Sequence, residues 1–202
     1  IVIENDGKMR EVPFIPADFT RLSAEEIVKR VSEAGVIGQG GAGFPTHVKL
    51  SPGDPSRIDT VLLNGAECEP YLTSDYRRML ENPELVVEGL KILLQIFPGA
   101  EGIICVEDNK RDCAEALQKA CRNASNIRVQ LLKTKYPQGA ERMLIWAATG
   151  RKINSSLLPA DAGCIVDNVE TAVSVYRAVA LGEPLTECTM TVTGDAAASS
   201  TS

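Results

Sequence analysis

The stretch DTVLLNGAECEP, residues 59 to 70, decides how the chain folds. Thr60 to Leu63 is a short aliphatic run, and the turn-forming Asn64-Gly65 follows it directly. From Asp59 onward such runs alternate with longer amphipathic ones, which is the signature of a parallel sheet covered by helices. Gly102 to Val106, Ile127 to Leu132 and Cys164 to Val166 repeat the strand composition. Between them, Pro83 after Asn82 predicts a helix through Leu94, and Asn109 predicts a cap for a helix running to about Cys121. Glu141 to Thr149 and Glu170 to Leu181 complete the helices on this side of the chain. An α/β three-layer, Rossmann-like domain follows, a parallel sheet flanked by helices, with ligands expected where strand carboxyl ends meet helix starts.

Upstream, Pro13 and Pro16 forbid a helix before Phe19. Ser23 and Glu26 form a capping box, Ile27, Val28 and Val31 share one helical face, and Gly35 supplies the left-handed stop. Downstream of Pro184, Leu185 to Val192 alternates as a strand. The division expected is 1–20 as an extended remnant of a preceding domain, 21–184 as the main domain, and 185–202 as the start of another.

The 202 residues carry 21 Lys and Arg against 27 Asp and Glu, a net charge of −6. That balance offers no general field for nucleic acid or anionic lipid, so an anionic ligand needs a local site. Apolar stretches such as Leu90 to Phe97 are far shorter than the roughly 20 residues a membrane span requires. The six cysteines form no C-x-x-C, and His47 is the only histidine. This spacing argues against a zinc or iron-sulfur site within the chain and fits a reducing compartment.

Four segments carry candidate chemistry. In GQGGAGFPTHVK, residues 38 to 49, Gly38, Gly40, Gly41 and Gly43 let a ligand lie against exposed backbone amides. Phe44 adds a flat apolar face and Lys49 a cation. The loop matches neither the Rossmann nor the Walker pattern, since it follows a helix and lacks G-K-[ST], so a plain surface loop stays open. NGAECEP, residues 64 to 70, lies at a strand end, where Asn64, Glu67 and Glu69 offer donors and acceptors; solvated acids on a turn are the alternative. GAER at 139–142 and DNVET at 167–171 sit at helix starts, where Glu141, Asp167 or Asn168 could equally be caps.

With these segments in view, the chain resembles the C subunit of the Rnf electron transport complex, and more distantly the NADH-binding flavoprotein subunit of respiratory complex I. The resemblance rests on GQGGAGFPTHVKL (38–50), NGAECEPYLTSD (64–75), YPQGAERMLIWAATGR (136–151) and DNVETA (167–172), in that order. It implies a noncovalent FMN with NAD(H) stacked on the flavin, and no side chain as proton donor. Carried over by position, Gly38, Gly40, Gly41, Gly43, Lys49, Asn64, Glu67, Asn168 and Thr171 border the FMN. Phe44, Glu69 and Glu141 lie on the nicotinamide side. Gln39 and Ala66 stand where the complex I protein has Arg and Asp, which implies fewer polar contacts to the flavin. The resemblance further implies 4Fe-4S clusters in a region outside this chain, electron exchange with ferredoxin through them, other subunits of the complex as partners, and a peripheral place on the cytoplasmic side of the bacterial membrane without insertion. A cobalamin-reductase type of relative shares every motif quoted and is the alternative within the resemblance; a docking domain that lost its cofactor is a rival from a different class, and the intact glycines, Asn64 and Glu141 speak against it.

Overall fold

A computed structural model describes residues 2, 4–8 and 13–194. Four strands, β1 (Thr60–Gly65), β2 (Glu101–Glu107), β3 (Ile127–Leu132) and β4 (Cys164–Asn168), form one sheet in the order β3-β2-β1-β4. All three pairings are parallel, with Thr60 opposite both Glu101 and Cys164. The chain moves outward from β1 to β2 and β3, then returns to lay β4 on the other side of β1. The reversal makes the carboxyl ends of β1 and β4 a topological switch point, where connections leave to opposite sides and a crevice opens.

The sheet faces are covered unequally. Alternate residues of β1, β2 and β4, among them Val61, Leu63, Ile104, Val106 and Ile165, join the larger core with α1 (Ala24–Glu33), α4 (Pro83–Ile96), α5 (Arg111–Ala120) and α7 (Val169–Tyr176). Leu62, Ile103, Cys105, Cys164 and Val166 point the other way, onto Leu144 and Ile145 of α6 (Glu141–Thr149). The closest helix contact is between α4 and α7. A Cβ on Gly89 would stand 2.1 Å from the carbonyl oxygen of Ala172, so only glycine fits there.

Ser23 and Glu26 form the reciprocal capping box that starts α1, and Gly35 takes φ +68° just past its end. The strand and helix runs read from the sequence stand within one or two residues, with instructive differences. Lys110, not Asn109, is the residue before α5, and Asn109 instead donates its amide to the Thr134 hydroxyl. Helix α3 (Ser74–Glu81) was not expected. Helix α7 gives way after Tyr176 to a wider turn over Arg177–Leu181. Leu185 to Val192, read as a strand, has no ladder partner among the described residues; Leu185 donates to the Ala34 carbonyl and the run continues irregularly. Ile1, Ile3 and 9–12 of the expected amino-terminal remnant, and 195–202, lie outside the described residues.

Candidate functional site at the carboxyl ends of β1 and β4

The glycine-rich segment is a bend between α1 and the short α2 (Thr46–Lys49), closed at its neck by an antiparallel bridge of Ile37 with Pro45. The Gly38 amide donates to the Phe44 carbonyl at 2.8 Å, and that of Gln39 to the buried Thr171 hydroxyl at 2.9 Å. The second bond ties the bend to the first turn of α7. Gly40 lies against Asn168, so close that a Cβ would stand 3.0 Å from the Asn168 Cβ. Gly41 faces the other way: a Cβ there would meet no atom within 4 Å. The amides of Gly40 and Gly41 have no hydrogen-bond partner of ordinary geometry among the described residues. The bend is thus fastened at its base and open along its crest.

Beneath that crest lies a hollow of about 330 Å³. The bend, Lys49, Asn64 of β1, Gly139 and Glu141 at the start of α6, and Asp167, Asn168 and Thr171 at the β4–α7 junction line it. Four separate segments of sequence therefore converge on one edge of the sheet. A second hollow of about 480 Å³ adjoins it, sharing Phe44, Lys49, Glu141 and Val166 and extending to Leu158 and Pro159. Phe44 is 51% exposed on this shared rim.

The polar groups are held by their neighbours. Asn64 donates to the Gly139 carbonyl at 2.8 Å and accepts from the Ala66 amide at 3.1 Å, fixing the β1 turn to the segment before α6. Asn168 accepts from the amides of Glu170 and Thr171, capping α7, and donates to Asp75 at 2.7 Å. Lys49 donates to the Val166 carbonyl at 2.6 Å, with carboxylate oxygens of Asp167 at 3.5 Å and Glu141 at 3.8 Å.

Asp167, whose place before a helix start predicts no more than a cap, belongs to the site. Asn168 does the capping. Asp167 is 2% exposed, lines the hollow, and its Oδ2 has no hydrogen-bond partner among the described residues. Burial pushes its carboxyl up to about 6 against the pull of Lys49, with Glu141 adding repulsion. The available signal was an acid one residue beyond the aliphatic run of β4, opposite Leu63 in the ladder.

Not all expected residues reach the hollow. Glu67 turns onto the start of α3, accepting from the amides of Asp75 and Tyr76 and pairing with Lys110 at 3.0 Å. Glu69 is exposed, 3.8 Å from the Cys68 thiol, and does not line either hollow. The remaining ten named positions line the larger, the smaller or both hollows.

Comparison with known proteins matches this arrangement. A family model described as the Nuo51 FMN-binding domain covers residues 31–177. The chain is 47% identical over 198 residues to the C subunit of the proton-translocating ferredoxin:NAD(+) oxidoreductase complex of Clostridium ljungdahlii, covering 97% of this chain and 43% of that one. It is 49% identical over 198 residues to the C subunit of the Na(+)-translocating complex of Acetobacterium woodii, covering 97% and 45%. The chain therefore spans less than half the length of these relatives. Among solved structures, NAD+-reducing [NiFe]-hydrogenase superposes in its air-oxidized state with TM-score 0.64 and in its H2-reduced state with 0.63. Each shares 25% identity and covers 76% of this chain and 30% of the other. Sequence, fold and the converging cleft agree: the chain belongs to the family of C subunits of Rnf-type ferredoxin:NAD(+) oxidoreductase complexes and carries that family's FMN-binding domain, an electron-transport flavoprotein module.

Proposed function

We propose that the cleft holds FMN beside NAD(H) so that hydride passes between nicotinamide and flavin, with onward exchange to ferredoxin through iron-sulfur clusters outside this chain. The observation that carries the reading is the fastened bend whose crest opens on the hollow: a Cβ at Gly41 meets nothing, and the Gly40 and Gly41 amides are unspent. Bound FMN would supply a two-electron acceptor, chemistry that no side chain of this site possesses.

The residues present fit that group. The Gly40 and Gly41 amides of the bend and the Thr171 hydroxyl offer donors to an anionic phosphate, and Lys49 adds a cation partly neutralised by Asp167 and Glu141. The unpartnered Asp167 oxygen is an acceptor for a ligand N–H or O–H donor. Phe44 and the apolar surface toward Leu158 suit a flat ring in the adjoining hollow, so the dinucleotide lies there. Glu141 stands on the wall common to both hollows. Its carboxylate orients the dinucleotide and repels the additional phosphate of NADPH. Glu67 acts at one remove by fixing α3, whose Asp75 holds Asn168.

In the assembled complex the module is a peripheral partner of other subunits on the cytoplasmic face. Among the described residues no helix is long and apolar enough to cross a membrane. The test is anaerobic: NADH added to the FMN-loaded chain bleaches the flavin absorbance, and NADPH does so far more slowly. Equal rates with both, or no bleaching by either, contradict the reading.

A further inference from the structure

Behind the cleft, α3, α7 and the segment before α5 bury an unusual charge cluster. Three carboxylates, Glu67, Asp75 and Glu170, meet two cations, Lys110 and Arg78. The cations are committed. Lys110 lies 3.0 Å from a Glu67 oxygen and also donates to its carbonyl. Arg78 grips Glu170 through two nitrogens, at 2.5 and 3.0 Å. Asp75 is left with an uncharged partner, the Asn168 amide nitrogen at 2.7 Å, while its own backbone amide serves Glu67.

Asn168 connects this odd carboxylate to the hollow. Its Nδ2 binds Asp75, its Oδ1 caps α7, and its Cβ supports Gly40 of the bend. We propose that Asp75 is a positioning residue that sets the Asn168 amide, and that an anionic group bound beside Asn168 is taken up together with a solvent proton on the Asp75 carboxyl. The inference rests on the FMN reading, with the flavin phosphate as the anion.

The reason is charge accounting. A phosphate at the start of α7 adds negative charge next to a carboxylate that has no cation of its own, and protonating that carboxylate is the least costly compensation. Burial, with Glu67 and Glu170 adding repulsion against the pull of Asn168 and Lys110, already raises the Asp75 carboxyl to about 7. Asp167, the residue before Asn168, also titrates, near 6, beside Lys49 and Glu141, so the experiment must separate the two acids. An Asp75 carboxyl whose pKa rises by about one more on binding makes affinity about fivefold tighter at pH 6 than at pH 8.

The experiment is calorimetric titration of the chain with FMN, and with riboflavin as the ring without its phosphate, in buffers of differing ionisation enthalpy from pH 6 to 8. Wild type should take up more protons with FMN than with riboflavin. Asp75→Asn keeps an acceptor for Asn168; it should bind FMN at pH 6 within about twofold of wild type and lose the extra proton uptake. Asp75→Ala removes the acceptor and should weaken both flavins at every pH. Proton uptake by Asp75→Asn equal to wild type overturns the inference and leaves the proton to Asp167 or to the phosphate. FMN affinity unaffected by Asp75→Ala removes the positioning role. Failure of wild type to bind either flavin overturns the FMN reading itself, and this inference with it.

Discussion

Replacing Asp167 by Asn should stabilise the protein, and more so at alkaline pH. The ordinary Asp carboxyl titrates at 3.8, and in the fold burial raises Asp167 to about 6. Below 3.8 both the folded and unfolded chains hold the proton, and the residue is neutral for stability. Between 3.8 and about 6 the folded chain alone holds it, so stability falls as pH rises. Above 6 the whole penalty is present, about 3 kcal/mol when each tenfold change in proton affinity is worth about 1.36 kcal/mol. Roughly half of that, about 1.6 kcal/mol, is already in place at pH 5. Asn at 167 never ionises and escapes it. The loss of the Lys49 counter-ion is already contained in this figure, since the value near 6 is what remains after the pull of Lys49, and Lys49 keeps the Val166 carbonyl and Glu141. The net expectation is a variant more stable than wild type by about 3 kcal/mol at pH 8 and by about 1.6 kcal/mol at pH 5. Urea unfolding of both chains at the two pH values measures it. An advantage that does not change with pH, or a variant less stable than wild type at pH 8, refutes the reasoning.

Other outcomes follow from the same geometry. Gly41→Val projects a branched side chain into the hollow and should lower FMN retention on a sizing column by about tenfold in affinity or more, with unchanged retention placing the flavin elsewhere. Glu141→Ala should slow flavin reduction by NADH in stopped-flow more than it lowers flavin content; equal loss of both counts against its place on the dinucleotide side. Gly89→Ala drives a methyl group into the Ala172 carbonyl and should cost about 3 kcal/mol in urea unfolding, and a loss below about 1 kcal/mol would mean that α4 and α7 can move apart freely.

The sheet was legible because parallel strands buried on both faces are short continuous aliphatic runs, and TVLL, GIICV and CIV stand out against their surroundings. Helix α3 was missed because its apolar face is short, only Tyr76, Met79 and Leu80 with Met79 alone fully buried, and its start is fixed by Glu67, which lies outside the segment. The cap expected of Asn109 is one residue off: α5 starts at Arg111 after Lys110, without a side-chain cap, and Asn109 lies in the turn before it, its backbone amide donating to the Thr134 hydroxyl. At the site, glycine density and strand-end position marked the bend, Asn64 and Asn168. Burial, which separates Asp167 from Glu69, is a property of the assembled cleft and not of either residue's local sequence. Glu67 illustrates the converse: its segment marked it as a ligand contact, and the fold uses it to start a helix through Asp75 and Tyr76.

Everything proposed for this module requires the open glycine crest and the strand ends to receive a riboflavin phosphate. Anaerobic titration of the chain with FMN, followed by quenching of flavin fluorescence, tests this directly. Saturable quenching with one FMN per chain, weakened by Gly41→Val, is the expected result; linear, unsaturated quenching that is the same in both chains would contradict it.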